Sequence, residues 1–123
     1  MSLRDSRAII LRRVLRLLDV VPVVIATSMD DRGKACWEPK RIYINPLHHE
    51  TLQDLSHTLV HELIHLVLPE AGESTCDIVA ERLMTGSRTL QARVYSVLAQ
   101  ALLLHLLKNK EEPRNSRSRS RRI

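Results

Sequence analysis

No phenylalanine occurs among the 123 residues, and there are only one tryptophan and two tyrosines. Leu, Ile and Val must therefore pack the core, and the length suits a single domain. Cysteine is nearly as scarce. Cys36 and Cys76 stand in unrelated contexts without CxxC spacing, which argues against a disulfide framework and leaves reduced thiols as the expectation. Arginines break the opening MSLRDSRAIILRRVLRLL before an apolar core of signal-peptide length can form. No run reads as long and apolar enough to span a bilayer, so a cytoplasmic chain with no membrane partner is expected.

An excess of one charge is also missing from most of the chain. Residues 113–123 hold five arginines and no acid, and what remains carries 14 basic against 14 acidic side chains. Within that remainder, residues 1–20 are +3 (five Arg, two Asp) and residues 21–112 are −3 (9 basic, 12 acidic). An acidic middle suits a cation site better than a phosphate-binding groove. Nucleic acid is suggested only weakly, through a tail whose phosphate contacts would carry no sequence preference.

Patterning is strong where composition is plain. In residues 3–20, Ile10, Val14, Leu17 and Leu18 share one helical face, opposite Arg12, Arg13 and Arg16. VPVVIAT reads as a strand, MDDRGK as a turn, and RIYIN (Arg41, Ile42, Tyr43, Ile44, Asn45) as the most convincing strand, closed by Pro46. From about residue 50 to 68, Leu52, Leu55, Leu59, Leu63 and Val67 recur at helical spacing, until Pro69 and Gly72 break the pattern. A helix over about 73–84 follows a short turn and returns antiparallel. A Leu-rich helix over about 88–108 comes next, with Ser87 as its cap. The expected fold class is α+β: an N-terminal helix, a small antiparallel or mixed sheet of about three strands, then three helices. One domain covers 1–110, and a basic Arg/Ser-rich tail, 111–123, is expected to be disordered.

The residues that carry chemistry lie in HELIHLVLPEAGESTCD, 61–77. His61 and His65 are four apart, so both project from one helical face and can share one metal ion. Glu62 lies between them in an HExxH pattern, where the glutamate serves as a base rather than a ligand. A catalytic zinc needs a third protein ligand and an open position. Glu73, Asp77 and Glu81 are four apart and can line one face of the following helix. Only seven residues separate His65 from Glu73, and a simple helix return would bring Asp77 level with the metal more readily than Glu73. Glu81 reads as a solvated helix face.

HELIH and GESTCD resemble the gluzincin metallopeptidases, whose second helix carries Glu-x-x-x-Asp. The size and element order are closest to the small single-domain minigluzincins. The resemblance covers roughly residues 41–84. It implies one zinc per chain on His61, His65 and Glu73, with Asp77 orienting a zinc-bound histidine and Glu62 as general base to a metal-activated water. It also implies that an edge strand ahead of the active-site helix pairs with extended peptide, a role that falls on Arg41, Ile42, Tyr43, Ile44 and Asn45. The implied function is a zinc metalloendopeptidase acting on peptide or protein substrates. The alternative is a latent or non-catalytic zinc-binding regulatory module, since some minigluzincins are latent.

Weaker expectations complete the reading. His57 is taken as a hydrogen-bonded structural histidine, and His48 and His49 as solvated. Tyr43, Tyr95, His57 and His105 are the candidates for stabilising an oxyanion, and Trp37 is a packing or rim residue. The Leu-rich final helix is a candidate homodimer surface; the alternative places it at the centre of the monomer's own core.

Overall fold

The structure, a computed structural model, describes the backbone over residues 3–121 and the side chains over residues 6–108. In chain order the elements are α1 (Leu3–Val20), β1 (Val23–Ile25), β2 (Gly33–Trp37), β3 (Lys40–Ile44), a 3-10 turn (Pro46–His48), α2 (Leu52–Val67), α3 (Glu73–Gly86) and α4 (Arg88–Arg121). This is the α+β arrangement that the sequence leads one to expect. Both cysteines are free thiols, Cys36 half-buried and Cys76 buried.

Helix α1 buries Val14 and Leu18 and leaves Arg12, Arg13 and Arg16 in solvent, as its periodicity requires. Helix α2 starts at Thr51, whose hydroxyl accepts the Asp54 N–H at 3.0 Å and so caps one of the free first-turn donors. Leu55, Leu59, Val60, Leu63, Ile64 and Leu66 are all buried, so α2 is covered on several sides and forms the middle of the core. Helix α3 presents two small buried residues, Cys76 and Ala80, to the interior. Small side chains there allow it to lie close against α2.

The sheet runs β1-β3-β2, with β1 parallel and β2 antiparallel to β3. The strand expected to be an edge is therefore the central one. Its Ile42 N–H donates to Pro22 O at 3.0 Å, its Ile44 O accepts from Ala26 N–H at 2.8 Å, and Asn45 N–H donates to Arg32 O at 3.0 Å on the other side. With partners on both flanks, Arg41, Ile42, Tyr43 and Ile44 have no free rim on which to pair a peptide. Ile42 and Ile44 are fully buried, and β-branched residues covered on both sides are what a central strand selects. Asn45 is also committed internally. Its side chain donates to Thr27 O and Met29 O at 3.2 and 2.7 Å and accepts from Leu47 N–H at 3.0 Å, tying the β1–β2 loop to the approach to α2.

The free rim that faces α2 belongs to β2. The Asn45–Arg32 hydrogen bond fixes the alternation: residues 34 and 36 pair inward with β3, and the main-chain groups of Gly33, Ala35 and Trp37 point away from it. His49 is half-buried rather than solvated. Its Nδ1–H donates to Asn45 O at 2.8 Å, and its Nε2 accepts from the Thr58 hydroxyl at 2.7 Å. Burial lowers its pKa, which favours the neutral ring that this bridge needs.

Helix α4 enters the core with Leu90, Val94, Leu98 and Ala101 buried, in contact with α1, α2, α3 and β1. Farther along, Leu103, Leu104, Leu106 and Leu107 are exposed. One expectation is corrected here: Arg88–Lys108 does have the length and apolar composition to cross a bilayer. Its first half is a core element, which passes the same test for a different reason. The helix runs to Arg121, past the end near Lys108 read from the sequence. The side chains of residues 109–123 lie outside the described residues, and with them the expected behaviour of the basic tail.

Gly33 is where β2 rests on α2. A Cβ at this position would stand 2.7 Å from Thr58 Cγ2 and 3.1 Å from Glu62 Cγ. Thr58 is buried and its hydroxyl is held by His49, so it cannot swing clear and the strand must move. Gly33→Ala is expected to lower stability by about 1–3 kcal/mol, as overpacking does. Gly86→Ala, where a Cβ meets nothing within 4 Å, should be neutral or slightly stabilising. Urea denaturation of both variants checks this pair, and an unchanged midpoint for Gly33→Ala would refute the close approach.

Candidate metal centre

Helices α2 and α3 face each other in antiparallel register, with histidines on one and acids on the other. His65 Nε2 lies 2.7 Å from Glu73 Oε1, His61 Nδ1 lies 2.6 Å from Asp77 Oδ1, and His57 Nε2 lies 3.9 Å from Glu81 Oε2. Each rung is one helical turn from the next on both helices, because the spacing is four residues on each. Asp77 is thus level with His61, as a simple return predicts, but it meets the ring nitrogen that points away from His65. Glu73 spans the other side, with its second oxygen 3.0 Å from His61 Nε2.

This arrangement suits one pair of tautomers. The Asp77 carboxylate accepts from His61 Nδ1–H, which leaves the His61 Nε2 lone pair bare. Cys76 does the same from behind His65: its Sγ lies 3.5 Å from His65 Nδ1 and 4.0 Å from Ala71 O. The thiol donates to Ala71 O and accepts from Nδ1–H. Burial pushes the Cys76 pKa up to about 11, with Glu73, Glu62 and Asp77 adding to the effect, so the sulfur keeps its proton. Both Nε2 lone pairs then face each other at 3.1 Å, beside the Glu73 oxygens. In these tautomers three electron-pair donors meet, and a shared cation would relieve their repulsion. Zinc bonds of about 2.0–2.1 Å in tetrahedral array would hold the donors about 3.3 Å apart, close to the spacing found.

His61, His65 and Cys76 form a cluster whose donor atoms all lie within 4.8 Å of one another, placed to hold a metal ion. Two donor sets compete for the third position. Cys76 approaches His65 from the Nδ1 side, whereas Glu73 approaches from the side on which both Nε2 atoms converge. One ion cannot sit on both sides of the same ring, and the convergence favours Glu73.

Glu62 is 9% exposed and lies next to the cluster. Burial raises its pKa, while His61, His65 and a hydrogen bond from Ala35 N–H pull it down. A cavity of about 200 Å³ opens in front, lined by Arg32, His57, Thr58, His61, Glu62, Glu73 and Asp77. The five residues expected at the centre, His61, Glu62, His65, Glu73 and Asp77, are brought together. The proposed substrate strand is not: Arg41, Ile42, Tyr43, Ile44 and Asn45 are absent from the cavity wall, which instead takes in Arg32, the residue before β2. Tyr43 and His105 do not line this cavity, whereas Arg32 does and was not anticipated. Cys76 was read only as a reduced thiol. Its spacing of one residue from Asp77 hides the role, since it points to a different histidine.

No protein-family model matches the chain, and no curated protein or solved structure matches it significantly.

Cobalt(II) titration separates the two donor sets. Ligation by His61, His65 and Glu73 is expected to give weak visible bands without the intense near-ultraviolet band of cobalt–thiolate bonding. Cys76→Ala and Asp77→Ala should each keep one ion per chain and weaken affinity about 10–100-fold, as loss of a hydrogen-bonding support does. A strong sulfur band, absent in Cys76→Ala, would instead place Cys76 on the metal.

Proposed function

We propose that this protein is a small zinc-dependent peptidase of the kind its resemblance to minigluzincins implies. The observation that carries the reading is the convergence of His61 Nε2, His65 Nε2 and the Glu73 carboxylate beside a buried glutamate. The residues fit zinc in kind and spacing: two neutral imidazoles, one carboxylate and a side open to the cavity. A zinc ion held there would act as a Lewis acid on a substrate carbonyl and acidify a water molecule.

The protein's own groups divide the remaining work. Glu62 accepts a proton from the attacking water as its oxygen bonds to the peptide carbonyl carbon. It then returns the proton to the amine nitrogen as the C–N bond breaks. The Ala35 N–H that holds the Glu62 carboxylate keeps it aimed at the cavity while burial makes it a better base. Asp77 and Cys76 hold the imidazoles in the tautomers that leave Nε2 free. The outward main-chain groups of Gly33 and Trp37 on β2 offer an extended peptide the pairing that central β3 has no room to give. Arg32 is the one arginine or lysine among the residues that line the cavity, and its charge suits the negative charge developing on the carbonyl oxygen.

Glu62→Gln is expected to keep one zinc per chain with unchanged affinity and to lower peptide hydrolysis by about 10²–10⁴-fold. Metal analysis and a peptide-library digest check this together. Wild-type protein that binds zinc but cleaves nothing would favour a non-catalytic zinc module.

A further inference from the structure

A second cavity, of about 300 Å³, adjoins the first and is not used by the chemistry above. His57 lies on the wall of both. Gln53, Glu81, Met84, Gln91 and Tyr95 form much of the rest, so α2, α3 and α4 each supply a side. We propose that this cavity is a side-chain subsite that selects arginine or lysine next to the bond attacked at the metal centre, an inference that rests on the peptidase reading.

Size and position limit the occupant. Ligand pockets run from about 300 to 1,000 Å³, so this one takes a single long side chain rather than a cofactor. His57 precedes His61 by one helical turn, a step of about 5.4 Å. An extended peptide advances about 3.3 Å per residue. A peptide whose carbonyl is at the metal centre therefore brings the first or second neighbouring side chain to the cavity.

The lining sets the sign of the charge. Among the described residues, Glu81 is the only one on the wall with a full charge when His57 is neutral. Its closest basic atom, His57 Nε2, is 3.9 Å away, too far for a hydrogen bond, and its side chain is 72% exposed. The carboxylate is thus free to turn to an incoming donor. Gln91 spends its amide nitrogen on Met84 O, which leaves its oxygen to accept. Met84 and the Tyr95 ring give a methylene stem an apolar wall and a cation an aromatic face. An acidic side chain would meet Glu81 here and Asp77, Glu73 and Glu62 in the adjoining cavity.

The test uses binding, so that it does not depend on turnover. Two dipeptide hydroxamates that differ only in arginine against citrulline, its uncharged near-isostere, are titrated calorimetrically into the full-length zinc-loaded Glu62→Gln protein. The arginine ligand is expected to bind about tenfold tighter, the size of one hydrogen bond to a charged group. Adding Glu81→Gln should bring it to the affinity of the citrulline ligand. Equal affinities, a gap that survives Glu81→Gln, or no binding of either ligand would overturn the subsite. Hydrolysis by the wild type is scored separately. A protein that cleaves nothing yet prefers arginine through Glu81 keeps the subsite and loses the peptidase reading; cleavage with no preference for charge does the reverse.

Discussion

The antiparallel register of α2 and α3 is the constraint on which the candidate centre depends. Histidines at 57, 61 and 65 and acids at 73, 77 and 81 repeat every four residues, so one pairing sets all three rungs. The turn between Val67 and Glu73 fixes that pairing, and the small buried residues Cys76 and Ala80 let the helices approach closely enough to use it. A slip of one residue would turn each side chain by about 100° around its helix and scatter the donors. The functional groups are therefore held by the same packing that builds the core.

The sheet braces Glu62 from behind and depends on the same helix. Gly33 lets β2 settle on Thr58 and Glu62, and Ala35 then meets the Glu62 carboxylate with a main-chain N–H. Below, His49 bridges Asn45 to Thr58, so the strand layer and α2 are tied at a second point. Glu62 is held between the layers, where burial strengthens it as a base and two histidines and one amide limit how far its pKa rises.

Much of this was legible in the sequence, for identifiable reasons. Apolar periodicity marked α1, α2 and the buried half of α4, and HELIH with the acids every fourth residue gave the set of groups that meet. Strand order was not legible. VVI and RIYI are both short β-branched runs, and nothing local says which one lies in the middle; that depends on Val23–Ile25 returning beside Ile42–Ile44 in parallel. Cys76 was missed because a thiol next to an aspartate reads as one functional position, although the two serve different rings. His49 was misread because its partner, Thr58, lies on the helix that it precedes. Leu-rich composition also spoke ambiguously for α4, since a helix that enters a core at one end and leaves it at the other has one pattern and two environments.

The two halves of the centre differ sharply in exposure. His61 is buried, with its side chain 9% exposed, whereas the side chains of Glu73 and Asp77 are 78% and 60% exposed. A cation arriving from solvent would meet the carboxylates first, shed water against them, and reach the imidazoles by side-chain rotation alone. No helix has to separate for it to enter, and none for it to leave. Exchange of a bound ion with the surrounding metal pool would therefore be governed by affinity rather than by kinetic trapping, and a chelator would have the same open approach as the ion.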